Sequence, residues 1–263
     1  MVPIGIVTRD RHKFLDVTLR SLSASQLPLD IAVTVFDCGS NDPATQRYLY
    51  TEAKVSLEYE WPMLPFVKDI PRHVAGAGIA GKIPTRRYLQ SFGVIRDSCR
   101  AILAMCSKYD TSSGIIICQD DIIFCQDWYT RLIDAAASKA DAGLIAGVWL
   151  MRMLPVAEGP QLVTAGGVSA QVYYVTPAGL EAARDFLRYP PSAMTGFDNK
   201  FCAAVRKSAS VYVMTPGIAQ HIGITSTVRP EVTWQRWHTY GRIDPTTEGP
   251  FSLADEVRYF KCA

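Results

Sequence analysis

Asp120 and Asp121 stand side by side in GIIICQDDIIFCQDW, residues 114–128, with an apolar run on each side. Two close carboxylates repel each other, and one is driven toward its protonated form unless a cation compensates. Hard divalent cations such as Mg2+ or Mn2+ take oxygen ligands and commonly keep substrate phosphate oxygens in their shell. The bland reading of the same residues is a solvated loop or a helix cap. Other reactive side chains lie at comparable places. Thr8, Arg9 and Asp10 close the apolar run VPIGIVT, and Asp37 closes IAVTVFD before the turn-forming CGSNDP, which contains Gly39, Ser40 and Asn41. His221, in TPGIAQHIGITS, offers an imidazole that Mn2+ accepts; a lone histidine can equally be structural. Asp198, in MTGFDNKF, follows a proline-rich turn and opens a helical stretch, where it could act on a substrate or cap the helix.

Two basic segments complete the inventory. HVAGAGIAGKIPTRR, residues 73–87, combines glycines with Lys82, Arg86 and Arg87. Its backbone N–H groups could cradle phosphate, although it is no GxxxxGK[ST] loop, and a plain surface loop fits it as well. TWQRWHTYGR, residues 233–242, interleaves Trp234, Trp237, His238 and Tyr240 with Arg236 and Arg242. Such a pattern suits stacking on sugars or bases, or packing of a carboxy-terminal segment on the core.

The elements that must position these residues alternate. Residues 2–8 read as a buried strand, 14–25 as a helix with Leu15, Leu19 and Leu22 on one face, and 31–37 as a second strand. A strand, helix and strand in that order form a crossover unit with parallel strands. Apolar spacing predicts a long amphipathic helix over 86–109, feeding the strand that ends at the acidic pair. A helix near 127–140, strands near 143–150 and 170–176, a helix over 177–187, a helical segment over 195–209 and a strand over 210–215 follow. This is an α/β three-layer sandwich. In such sheets ligands bind beyond the carboxyl ends of the strands, where Arg9, Asp37 and the acidic pair all fall.

Composition sets limits. Of 263 residues, 48% are apolar and 20% charged, as in ordinary globular proteins, and the net charge of +2 does not by itself imply a polyanionic partner. No run of about 18 apolar residues predicts a membrane span, and the amino terminus lacks the layout of a signal peptide. The seven cysteines form no CxxC pair and fall largely in apolar segments, so reduced thiols and a cytoplasmic location, in a bacterium or a virus-infected cell, are expected.

Several segments together resemble the nucleotide-sugar-dependent glycosyltransferases of the single-domain, Rossmann-like A-type fold. VPIGIVTRDRHKFLDVTLRSL resembles their opening strand, polar turn and helix; VTVFDCGSNDPATQRYL resembles their second strand and DGSxD turn, with Cys38 where a second aspartate is frequent; CQDDIIF resembles their DxD metal motif. YLQSFGVIRDSCRAILAMCSKY, IICQDDI and GIAQHIG are further similar to the fourth type of N-glycan-branching N-acetylglucosaminyltransferase. The resemblance implies one domain over 1–263, with a nucleotide-binding half to about 125, an acceptor half to about 225 and a tail or lid beyond. It implies a metal-dependent transfer of a hexose or pentose from a nucleotide diphosphate sugar, UDP-sugar favoured, to an acceptor hydroxyl. Asp121 and His221 would ligate Mn2+ or Mg2+. Asp120 would hold the ribose or a metal-bound water, and Asp37 the base or ribose. Thr8 and Arg9 would line the base pocket, Gly39 and Ser40 would bring backbone to the nucleotide, and Lys82 and Arg86 would contact the donor. Asp198 would be the base of an inverting reaction. The acceptor is expected to be a glycan or small molecule; DNA carrying a hydroxymethyl pyrimidine is the alternative. A nucleotidyltransferase, which should show an amino-terminal glycine-rich signature, and a non-catalytic sugar-nucleotide-binding module are the competing classes.

Overall fold

The computed structural model describes residues 1–50, 66–73, 82–88, 91, 93–148, 161–165, 168, 170–191, 196–215 and 217–221. In chain order the elements are β1 (Ile4–Thr8), α1 (His12–Ala24), β2 (Val33–Asp37), α2 (Pro43–Tyr50), β3 (Phe66–His73), β4 (Lys82–Tyr88), α3 (Val94–Lys108), β5 (Ile115–Gln119) and β6 (Ile122–Phe124). There follow α4 (Trp128–Ala137), β7 (Ala142–Ala146), β8 (Gln161–Thr164), β9 (Val172–Val175), α5 (Pro177–Ala182), α6 (Arg184–Arg188), α7 (Phe197–Val205), β10 (Ser210–Thr215) and β11 (Ala219–His221). Nine strands form one mixed sheet in the order β3-β4-β2-β1-β5-β9-β7-β10-β8, and β6 and β11 form a separate ribbon.

The central strands are apolar nearly throughout because helices cover both faces of the sheet. In β5 the side chains alternate. Ile116 and Cys118 join the cluster that includes Leu15, Leu19 and Leu22 of α1 and Trp128 and Leu132 of α4. Ile115 and Ile117 join the opposite cluster, with Ile95, Cys99, Ile102 and Met105 of α3 and Phe197 and Phe201 of α7. Strands β1, β2, β4 and β5 run parallel, as the crossover rule requires. Strand β9 pairs antiparallel with both β5 and β7, which restores β7 and then β10 to the common direction. The carboxyl ends of β1, β2, β4, β5, β7 and β10 therefore meet at one edge.

Two expectations change. The helix predicted over 86–109 begins only at Val94, and Arg86, Arg87 and Tyr88 belong to β4. Gly93 has φ 91°, which no helix crosses, and residues 85–87 find ladder partners on β2. The second change is at 177–187, where the predicted single helix breaks into α5 and α6 at Ala183. Helix α5 is capped by Thr176, whose hydroxyl accepts the Gly179 N–H, and it starts with Pro177. Gly179 lies directly against Gly143 of β7, so close that a Cβ on it would collide with the Gly143 carbonyl. No helix of the described residues is long and apolar enough to cross a membrane. The expected tail, 226–263, and most of the glycine-rich loop, 74–81, lie outside the described residues.

Candidate active site

The last residue of β5 is Gln119, and Asp120 and Asp121 turn the chain from β5 into β6. Both carboxylates are buried, at 3% and 2% exposure, at the carboxyl edge of the sheet. The ribbon explains how a residue 100 positions away reaches them. Strand β11 pairs antiparallel with β6 so that His221 lies opposite Ile122, beside the acidic turn. His221 Nε2 is 2.8 Å from Asp121 Oδ2.

Helix α1 holds the other side of β6. The Thr18 hydroxyl donates to the Asp120 carbonyl at 2.7 Å and accepts the Ile122 N–H at 2.9 Å, and Ser21 Oγ accepts the Phe124 N–H at 2.6 Å. Backbone groups at 120, 122 and 124 recur with the strand period of two, and hydroxyls at 18 and 21 recur at helical spacing on one face. The helix thus acts as the missing neighbour strand and satisfies buried polar backbone that would otherwise be costly.

A residue that the sequence did not single out completes the site. Arg11 lies 2.6 Å from Asp121 Oδ2 through one guanidinium nitrogen and 3.2 Å from Asp120 Oδ1 through the other. Thr8 Oγ1 donates to the second Asp120 oxygen at 2.6 Å. The two acids differ accordingly. Burial pushes Asp120 up to about 6, with Arg11 opposing and Asp121 adding to the rise. Burial also works against Asp121 ionising, but His221 and Arg11 together outweigh it and hold this carboxyl well below the usual range. Arg11 was legible only as one of several charges in RDRHK; its role depends on β1 lying beside β5.

The other expected residues fall as follows. Asp37 is fully buried at the end of β2, and its Oδ1 accepts the Ser40 N–H at 2.9 Å. Gly39, at φ 74°, makes the turn. Asp10 has φ 55°, unusual outside glycine, and its carboxylate accepts the N–H groups of Asn41 and Asp42 at 2.6 and 2.8 Å. Ser40 Oγ accepts the Asp10 N–H at 2.8 Å. The loops after β1 and β2 are thereby locked together, and these backbone donors serve the turn. Arg9 is 43% exposed beside Asp10. Arg86 is buried in β4 opposite Phe36. Lys82 is the first residue of β4, five positions before Arg87, which pairs with Asp37. Asp198 lies in the first turn of α7, half-buried, and the cap position belongs to Gly196. Helix α7 leads into β10, so its amino terminus is at the same sheet edge as Asp121. The segment 233–242 is outside the described residues.

The pair Asp121 and His221 fits a divalent cation. Neighbouring ligands of an octahedral ion with bonds of about 2.1 Å stand about 3 Å apart, close to the separation of His221 Nε2 and Asp121 Oδ2. Asp121 Oδ1 is buried and has no hydrogen-bond partner among the described residues. No group of three or more His, Cys, Asp or Glu residues suited to a metal occurs among the described residues. Mg2+ commonly binds through one or two protein side chains with phosphates and waters filling the shell.

No protein-family model and no curated protein matches this chain. Solved structures do. S. aureus TarS superimposes with a TM-score of 0.50 over 81% of this chain and 35% of its own, at 14% identity. TarS 1–349 in complex with UDP-GlcNAc gives 0.50 at 11% identity, over 81% and 56% of the two chains. The mannosyltransferase PcManGT from Pyrobaculum calidifontis, in complex with GDP-Man and Mn2+, gives 0.50 at 14% identity, over 81% and 56%. This chain has the glycosyltransferase A-type fold. It spans about half or less of the length of each of these three structures.

Proposed function

We propose that this protein is a metal-dependent glycosyltransferase that moves a sugar from a nucleotide diphosphate sugar, UDP-sugar favoured, to an acceptor hydroxyl with inversion. The observation that carries the reading is the meeting of Asp121, His221 and Arg11 at the carboxyl edge of an A-type sheet, with one buried Asp121 oxygen left open. The UDP and UDP-GlcNAc complexes of TarS support a uridine donor, as does the similarity of three segments to the N-glycan-branching enzymes. The Mn2+ of PcManGT supports the cation.

Asp121 and His221 would hold Mn2+ or Mg2+, which when bound supplies Lewis-acid charge to a departing diphosphate. Asp120 is held by Thr8 and Arg11 and orients ribose or a water. Asp37, fixed by the Ser40 amide, accepts from the nucleoside, Thr8 and Arg9 border the base, and Gly39 and Ser40 shape the turn below it. Arg86 supplies a buried positive charge one strand further on. Asp198 takes the proton of the acceptor hydroxyl. Helix α7, which carries Asp198, packs on β7 and β10, and β7 is two strands from β5 in the sheet.

A glycan or small molecule is the favoured acceptor. The test is incubation with a panel of nucleotide sugars and Mn2+, with release of nucleoside diphosphate as the readout. Release from one UDP-sugar, lost on chelation, is expected; no release from any donor, with nucleotide still bound, would leave a non-catalytic binding module.

A further inference from the structure

The buried acid pair already has a cation. Arg11 touches both carboxylates with different nitrogens, and its side chain is only 13% exposed. The Asp121 oxygen it contacts is the one that faces His221. His221 Nε2, at 2.8 Å, and one guanidinium nitrogen of Arg11, at 2.6 Å, both crowd this one oxygen. A metal seated between His221 Nε2 and this oxygen must take the place that Arg11 holds against it. Only a movement of Arg11 frees that place.

We infer that Arg11 is a resident counter-cation that keeps the acid pair assembled without metal and must release Asp121 before a divalent ion binds, so that the ion enters with the nucleotide diphosphate and not ahead of it. This rests on the metal reading proposed above. Charge balance supports the order. Two carboxylates and one guanidinium carry a net −1. A divalent ion added alone makes that +1 in a buried site, whereas an ion added with a diphosphate of charge about −2 restores −1. A diphosphate also gives the released guanidinium a partner with the geometry it prefers. Arg11 Nε and Nη2 are both buried with no hydrogen-bond partner among the described residues, Nη2 meeting Asp121 as an ion pair, and the guanidinium lies 4.6 Å from the centre of the Phe14 ring. Two of its nitrogens therefore keep unspent donors, and the ring face that supports the group belongs to the helix that Arg11 opens.

The experiment is a Mn2+ titration of the full chain, followed by the electron paramagnetic resonance signal of the free ion, with and without UDP. It compares the unsubstituted protein with Arg11→Gln and Arg11→Lys, with the fold checked by circular dichroism. In the unsubstituted protein Mn2+ should bind at least about tenfold, or 1.4 kcal/mol, more tightly when UDP is present. Arg11→Gln should tighten binding of Mn2+ alone by a similar factor and flatten the dependence on UDP. Arg11→Lys, which reaches only one carboxylate at a time, should fall between. Folded variants with unchanged Mn2+ affinity would overturn the inference while leaving the metal reading intact. No Mn2+ binding by the unsubstituted protein even with UDP would remove both. If Arg11→Gln does not fold, Arg11→Lys decides alone, tighter Mn2+ binding supporting the inference and unchanged binding overturning it.

Discussion

Asp121 shares one oxygen between His221 and Arg11 and keeps the other unpartnered, so charge and not shape is what the site needs there. Asp121→Asn keeps the shape. It should lower donor turnover by roughly three orders of magnitude, the several kcal/mol that a Lewis acid contributes, with secondary structure retained in circular dichroism. Turnover within a few-fold of the unsubstituted protein would show that the carboxylate does not hold the cation. Asp198 is a separate case. Gly196 holds the cap position of α7, and one oxygen of Asp198 accepts the Asn199 N–H at 2.9 Å in the first turn. Asp198→Asn should reduce transfer by about 10²–10⁴-fold, as expected for a general base, and leave UDP affinity unchanged in calorimetry. Equal loss of transfer and affinity would point to a structural role.

At the scale of elements, the acidic turn is held by hydroxyls of α1. Thr18 accepts and donates at once, bridging the Asp120 carbonyl and the Ile122 N–H. Thr18→Val preserves the β-branched shape but strands both backbone groups in a buried place. The expected loss is about 1–3 kcal/mol, seen as an earlier urea midpoint with an unchanged slope. Because the same hydroxyl fixes the turn, Mn2+ binding should weaken in parallel. A variant as stable as the parent would mean that water replaces the hydroxyl. The ribbon of β6 and β11 belongs to the same logic: its register alone brings His221 beside Asp121.

For the whole molecule, burial decides how the cysteines behave. None of the six cysteines of the described residues is in a disulfide, and five of them (Cys38, Cys99, Cys118, Cys125 and Cys202) are buried. Burial pushes Cys99 up to about 12 and raises Cys38 and Cys118 further from their ordinary range. The thiolate is the reactive species, so a raised pKa leaves less of it at about pH 8. Burial raises Cys106 as well, but it is only half-buried, so thiol reagents should label it faster than these five in the native state, and denaturant should release the rest. Labelling of Cys99 as fast as Cys106 would contradict the packing of α3 against α6.

Local chemistry was enough to read much of this protein from its sequence. Apolar runs ending in polar residues marked β1, β2 and β5 and the edge where their polar ends collect, because strands buried on both faces must be apolar throughout. Asp120 and Asp121 stood out because two charges interrupt such a run. Helical spacing misled at 86–93: Gly93 and pairing with β2 outweigh a pattern that fits a helix equally well. The buried stripe of Thr18 and Ser21 was hidden because hydroxyls carry no hydrophobic signal. Only the tertiary structure could bring Arg11 onto the acid pair and His221 opposite Ile122. Those contacts depend on strand order and register, which sum many weak long-range interactions and leave no mark at the residues they bring together.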